Sequence, residues 1–104
     1  MEQLHINSFV FHPEAEIELT EAVNYYNNCE ENLGYDFSLE VFTAIQGAMS
    51  YPYSWQELKK DLRRVLINRF PYGVIYSINN QNIVILAIMH LHRKPNYWNK
   101  RRKV

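Results

Sequence analysis

Ile83-Val84-Ile85-Leu86-Ala87-Ile88-Met89 is apolar at every position. A strand with one wet face alternates apolar and polar residues, whereas a strand covered on both faces has no reason to. This run therefore reads as the central strand of a sheet. Upstream, Asn79-Asn80-Gln81-Asn82 is a turn that separates it from Tyr72–Ile78, and Pro71 separates that segment from Leu62–Phe70, so three strands follow one another as a meander. Alternation along Leu62–Phe70 puts Arg63, Val65, Ile67 and Arg69 on one face and Arg64, Leu66, Asn68 and Phe70 on the other. Arg64 and Arg69 are then expected on opposite faces unless a bulge shifts the register. Gly73 and Ser77 mark the less buried face of the middle strand.

The preceding half reads as helical. Ile6–Phe11 is a short β-prone segment that His12-Pro13 interrupts, and Pro13 suits the first position of a helix. Ala15, Leu19, Ala22, Val23 and Tyr26 form its apolar stripe, while Glu14, Glu16 and Glu18 fall in the opening turns, where the helix dipole favours negative charge. Its glutamates are expected to face water. After Asn27-Asn28 and Asn32-Leu33-Gly34, a second stripe of Phe37, Val41, Ala44, Ile45, Ala48 and Met49 ends before Pro52. The expected architecture is α+β, in the order β-α-α-β-β-β, with a helical hairpin packed on one face of a small, mainly antiparallel sheet and residues 1–104 forming a single domain. The opposite face, with its arginines and the basic C-terminal stretch, is the expected place for function.

Charge divides the chain in two. Residues 1–58 hold ten acids and no base, for −10, and residues 59–104 hold eleven bases and one acid, Asp61, for +10. Such a split either steers an anionic partner to the basic half or draws the two halves of one fold together. Cys29 is the single cysteine, so no internal disulfide can form, and no apolar run is long enough to span a bilayer. A cytoplasmic protein without a membrane partner is expected. Three glycines, and ten of the eleven acids confined to the first half, supply neither a phosphate-binding loop nor a carboxylate dyad. His90 and His92 fall short of the three or four ligands that a zinc site requires, so no metal and no cofactor is expected.

The order of these elements carries a resemblance. The acidic helical hairpin with Glu21–Tyr26 and Leu33-Gly34-x-x-Phe37, then Arg63–Tyr76 with Phe70-Pro71-Tyr72 between strands, then Ala87-Ile88-Met89-His90 followed by Arg93, Pro95, Tyr97 and Trp98, resembles the RelE/ParE superfamily of bacterial toxins over nearly the whole chain. The resemblance implies the toxin of a type II toxin–antitoxin pair, held inactive by a cognate antitoxin. One branch of that superfamily cuts messenger RNA in the ribosome, and the ParE branch acts on DNA gyrase. An endoribonuclease needs a base for the ribose 2′-hydroxyl, cations for the phosphate and an acid for the leaving oxygen. His90, Arg64, Arg93 and Tyr97 are the candidates here, with Arg69 a further phosphate clamp. The His90-x-x-Arg93-x-Pro95 arrangement is more similar to the ParE-like and plasmid-stabilisation members, in which no nuclease role is established, so the ParE branch is the expectation, with the ribosome-dependent endoribonuclease and an inactive binding module of the same fold as the alternatives. Lys59, Lys60, Arg63, Arg69, Lys100, Arg101, Arg102 and Lys103 are the candidate contacts to gyrase or nucleic acid. Lys59 and Lys60 read equally as an exposed loop beside Glu57 and Asp61, and Trp98 reads either as a stacking platform or as a lid folded back on the core.

Overall fold

The structure of the protein, a computed structural model, describes residue 6 and residues 8–103, with the side chains of Arg102 and Lys103 outside the description. The elements are β1 (Ser8–Phe11), α1 (Pro13–Cys29), α2 (Leu33–Ser50), β2 (Gln56–Lys59), β3 (Leu62–Leu66), β4 (Tyr72–Asn79), β5 (Asn82–His90) and a C-terminal 3-10 segment, Tyr97–Lys103. The sheet has the order β1-β5-β4-β3-β2. β1 joins β5 in parallel and every other pairing is antiparallel. The uniformly apolar strand is thus flanked by β4 along one edge and by β1 along the first part of the other.

Local chemistry sets the helix ends. His12 caps α1, its Nδ1 accepting from the Glu14 N–H at 3.1 Å, and Pro13 follows at the first helical position. Asn32 takes a left-handed conformation (φ 67°) to turn the chain into α2, a conformation that asparagine adopts more readily than most residues. The helices approach closely at Gly34, where an added Cβ would lie 2.3 Å from the Val23 carbonyl oxygen and 2.6 Å from Asn27 Cγ. The Asn27 amide oxygen accepts from the Gly34 N–H at 2.8 Å, which uses the same approach.

Two apolar layers sandwich the sheet. On the helical side lie Ala15, Ala22, Phe37, Val41, Ala44, Ile45 and Ala48 against Val65, Val74, Tyr76, Ile83, Ile85 and Ile88. On the other side, Leu62, Ile75, Leu86, Ala87 and Met89 are covered by Trp98 from the C-terminal segment. Trp98 is the lid of the two alternatives, and its Nε1–H points at Met89 Sδ at 3.4 Å. The face marked by Gly73 and Ser77 is consequently less open than the sequence suggested. β5 faces both layers by alternation, and one bulge resets that alternation: Ile85 pairs with Tyr76 and Ala87 with Ile75, so Leu86 is the extra residue. Leu86 and Ala87 then face the same layer, and Ile88 and His90 return to the helical side.

Two expectations need correction. Four strands follow the helices, because Gln56–Lys59 pairs with β3 as an edge strand, so Lys59 is a strand residue and not part of a loop. β3 ends at Leu66, short of Phe70. The Ile67 N–H bonds the Tyr72 carbonyl at 3.0 Å, the Tyr72 N–H bonds the Phe70 carbonyl at 2.8 Å, and Arg69 turns to φ 73°. A tight connection replaces the last strand residues, so alternation does not govern Arg69.

Candidate functional site: the rim of the sheet beside the C-terminal segment

β1 pairs with β5 only as far as Ile85, which leaves the following edge of β5 without a strand. Side chains fill that gap. The Glu18 Oε1 accepts from the Ile88 N–H at 3.0 Å, and Arg101 Nη1 donates to the Leu86 carbonyl at 2.9 Å. The two side chains meet in a bidentate pair, Nη1 to Oε1 at 3.0 Å and Nη2 to Oε2 at 3.1 Å. Arg93 Nη1 reaches the same carboxylate at 3.2 Å. The Glu18 side chain is 10 % exposed and that of Arg101 13 % exposed. Glu18 therefore departs from the expectation that the α1 glutamates face water. Its position carried a signal, since Ala15, Glu18 and Ala22 stand at i, i+3 and i+7 on the buried line of the helix.

Beside this pair, α1 and the end of β5 enclose a cleft of about 280 Å³ lined by Glu18, Glu21, Tyr25, Tyr72, His90 and Arg93, among others. His90 packs edge-on against Tyr72 at 5.0 Å, and its Nδ1 accepts from the His92 N–H at 3.1 Å. Burial is the main cause that pushes the Tyr72 hydroxyl above its ordinary pKa. Arg93 stacks on the Tyr97 ring at 3.6 Å, and Arg101 lies 4.9 Å from the same ring. The Tyr97 hydroxyl is buried without a hydrogen-bond partner. Burial first, and the nearby Glu18 carboxylate second, raise its pKa, against the opposite pull of Arg93 and Arg101. Tyr97 therefore stays protonated and withdrawn, a poor general base.

Arg64 stands elsewhere. Strand parity puts it on the face with Leu62, away from the helices. Its stem lies over Gly73, where a Cβ would come within 3.0 Å of the Arg64 Cδ, and its Nη2 donates to Gln56 Oε1 at 2.7 Å. His90 and Arg93 thus share the cleft with Tyr97 behind Arg93, while Arg64 is separated from His90 by the thickness of the sheet.

The other cations divide by what holds them. Arg63 lies on the helical face, where its Nη1 donates to the Tyr53 and Trp55 carbonyls at 3.0 and 2.8 Å. Arg69 pairs with Asp36 at 3.6 Å, and Arg101 is bound as described. Lys59 lies 6.0 Å from the Trp98 ring, on the same side of the sheet as Arg64, and Lys100 is exposed on the C-terminal segment. Lys60 is exposed in the turn after β2. The side chains of Arg102 and Lys103 lie outside the described residues. Part of the −10/+10 split is thereby expressed inside one fold, Glu18 and Asp36 of the helices against Arg93, Arg101 and Arg69. Gln56 and Tyr72 are neighbours of the candidate residues that single-residue reading did not select.

A helical hairpin over one face of a mixed five-stranded sheet, with a basic C-terminal segment closing the other, defines a toxin of the RelE/ParE class. The chain belongs to the ParE toxin family of type II toxin–antitoxin systems, parDE, whose family model matches residues 9–95. The fold is similar to a chain of the chromosomal ParDE toxin–antitoxin system from P. aeruginosa, with a TM-score of 0.72 at 13 % identity over 85 % of this chain and 99 % of that one. No curated protein matches the sequence. Among the described residues, no helix is long and apolar enough to cross a membrane.

Proposed function

We propose that this chain is a ParE-type toxin that acts by binding DNA gyrase and is neutralised by a cognate antitoxin. Family membership supplies the general reading. The observation that favours a binding toxin over a nuclease is the separation of Arg64 from His90 by the sheet, together with the buried hydroxyl of Tyr97. A phosphate clamp on one face and a proton-transfer group on the other do not meet one scissile phosphate, and such chemistry depends on groups held within hydrogen-bond reach of the reacting atoms. On this reading Lys59, Arg64 and Lys100, on the face beside the C-terminal segment, are contacts to the target, while Arg63 and Arg101 hold the fold.

One observation favours the second reading, a ribosome-dependent mRNA endoribonuclease: His90 and Arg93 do share a cleft. The deciding experiment adds the purified chain to gyrase and relaxed plasmid, and in parallel to translating ribosomes. Loss of supercoiling with intact mRNA is the expected result. Undiminished supercoiling with mRNA cleaved would overturn the proposal. In cells, DNA synthesis should fall before protein synthesis when the chain is induced without antitoxin.

A further inference from the structure

Leu66 is 55 % exposed. Parity along β3 sets it beside Arg64 on the face of the sheet that the helices do not cover, and its register partner on β4 is Gly73. β2 begins at Gln56, opposite Arg64, so Leu66 lies beyond the end of the edge strand. Gly73 brings no side chain to this row, and the Arg64 stem lies in the space: a Cβ on Gly73 would come within 3.0 Å of Arg64 Cδ and 3.1 Å of its Cγ. The Arg64 Nη2–H then bonds Gln56 Oε1 at 2.7 Å. Long cationic side chains lay their stems on the surface and keep the head outward. With its stem bedded and its head held by one amide, this guanidinium has less freedom left to lose on meeting an anion.

The neighbours of Arg64 define the kind of anion. Lys59 is exposed on the same side, and Lys100 is exposed on the segment that covers it. Glu57, the one acid on the described strands, reaches Arg63 at 3.8 Å on the helical face, and Asp61 stands in the turn between β2 and β3. The described strands therefore bring no carboxylate to this face, and an acidic partner is attracted to it. A nucleic acid and an acidic protein segment both answer that description, and Leu66 separates them. A sugar–phosphate backbone leaves the leucine in water. A protein can cover it with an apolar side chain while an adjoining carboxylate takes the guanidinium in a bidentate pair.

Resting on the gyrase-binding reading above, we propose that Arg64 and Leu66 form one contact for an acidic and apolar segment of the target protein. Arg64 takes a carboxylate and Leu66 the apolar side chain next to it. Gln56 and Gly73 are the positioning residues that aim Arg64, and Lys59 and Lys100 add attraction without fixing the register.

The test measures affinity of the full chain for purified gyrase without DNA over a range of salt. Affinity is the readout because growth arrest persists wherever toxin exceeds target. Circular dichroism and the thermal midpoint verify the fold of each variant. Leu66→Asn should weaken binding about tenfold and leave its dependence on salt unchanged. Arg64→Gln should weaken it to a similar degree and flatten that dependence. Gln56→Ala and Gly73→Ala keep every charge, so each should cost about threefold with the salt dependence unchanged, and neither should weaken Arg64→Gln further. That last result separates positioning of Arg64 from a role of their own, and effects that add to Arg64→Gln would remove the positioning role. Leu66→Asn and Arg64→Gln both within about twofold of the parent would overturn the proposal and leave the gyrase reading standing. Failure of the parent chain to bind gyrase would overturn that reading and the contact with it. Binding of duplex DNA by the chain alone, abolished by Arg64→Gln and unchanged by Leu66→Asn, would assign the face to nucleic acid and likewise overturn the proposal.

Discussion

Glu18 and Arg101 are 83 positions apart in sequence and join as a bidentate ion pair that also binds the backbone of β5, Glu18 through the Ile88 N–H and Arg101 through the Leu86 carbonyl. The pair stands where β1 has stopped, and it gives the exposed edge of β5 one acceptor and one donor, as a further strand would. It also occupies that edge against pairing with another chain.

Replacing Arg101 with Met should be more damaging than replacing both residues. Removal of one partner leaves a largely buried carboxylate with Arg93 alone, which costs about 3 kcal/mol, and for a domain of this size that lowers the thermal midpoint by on the order of 12 °C or more. The double variant Glu18→Leu with Arg101→Met, with no stranded charge, should recover part of the loss. Calorimetric midpoints of the two variants are the check, and a single variant as stable as the parent would show the pair to be incidental.

Gly34→Ala should destabilise the hairpin. A Cβ there meets the Val23 carbonyl oxygen, which cannot withdraw without moving a helix, and the Asn27 side chain, whose withdrawal would break its bond to the Gly34 N–H. Overpacking of this kind costs about 2 kcal/mol. Urea unfolding, with an unchanged m value and a lower midpoint, is the expected outcome.

Alkaline pH should unfold the protein. Tyr76 is buried with its hydroxyl donating to the Pro52 carbonyl at 2.6 Å, and burial, only partly opposed by Arg63, raises its pKa from 10.0 to about 12. Burial raises Tyr97 in the same direction. Because the folded pKa lies above the unfolded one, the contribution is fully present below pH 10.0 and is lost as pH rises toward about 12. Tyrosinate absorbance and far-ultraviolet dichroism recorded together should change in one step over that window. Tyr76→Phe should shift the step and cost about 1 kcal/mol at neutral pH, the usual net worth of a hydrogen bond.

His90→Ala combined with Arg64→Ala should leave the cell's mRNA untouched and growth arrest largely intact if toxicity is by binding through several contacts. Removing a proton-transfer group and a phosphate clamp from a nuclease would instead lower its rate by about 10² or more. Counting viable cells after induction separates these results.

The parts of the fold legible in sequence are those whose signal is local. β5 shows itself by unbroken apolarity, α1 and α2 by their stripes, and the start of α1 by His12-Pro13. Gln56–Lys59 does not, because four residues with two charges and one half-buried Leu58 lack the alternation that marks a strand, and it is a strand only because β3 lies beside it. Arg69 was misplaced because the turn that redirects it depends on bonds across to Tyr72. At the rim, His90, Arg93 and Tyr97 are visible as residue types, but charge groups Arg64 with them, and only its register with Ile75 and Gln56 separates it. Glu18 looked like any acid in the first turns of a helix. Its partner lies too far along the chain for any window to contain both.

That distance in sequence is also a delay. At roughly 5 to 20 residues per second on the ribosome, Arg101 is made about 4 to 17 s after Glu18. β1 likewise waits for Asn82–Ile85, while the helical hairpin, whose contacts are local, is free to form as soon as it emerges. The acidic outer face of the hairpin is thus free to form in the nascent chain before the sheet is closed and its basic rim assembled, so the order of synthesis presents the acidic half of the molecule first.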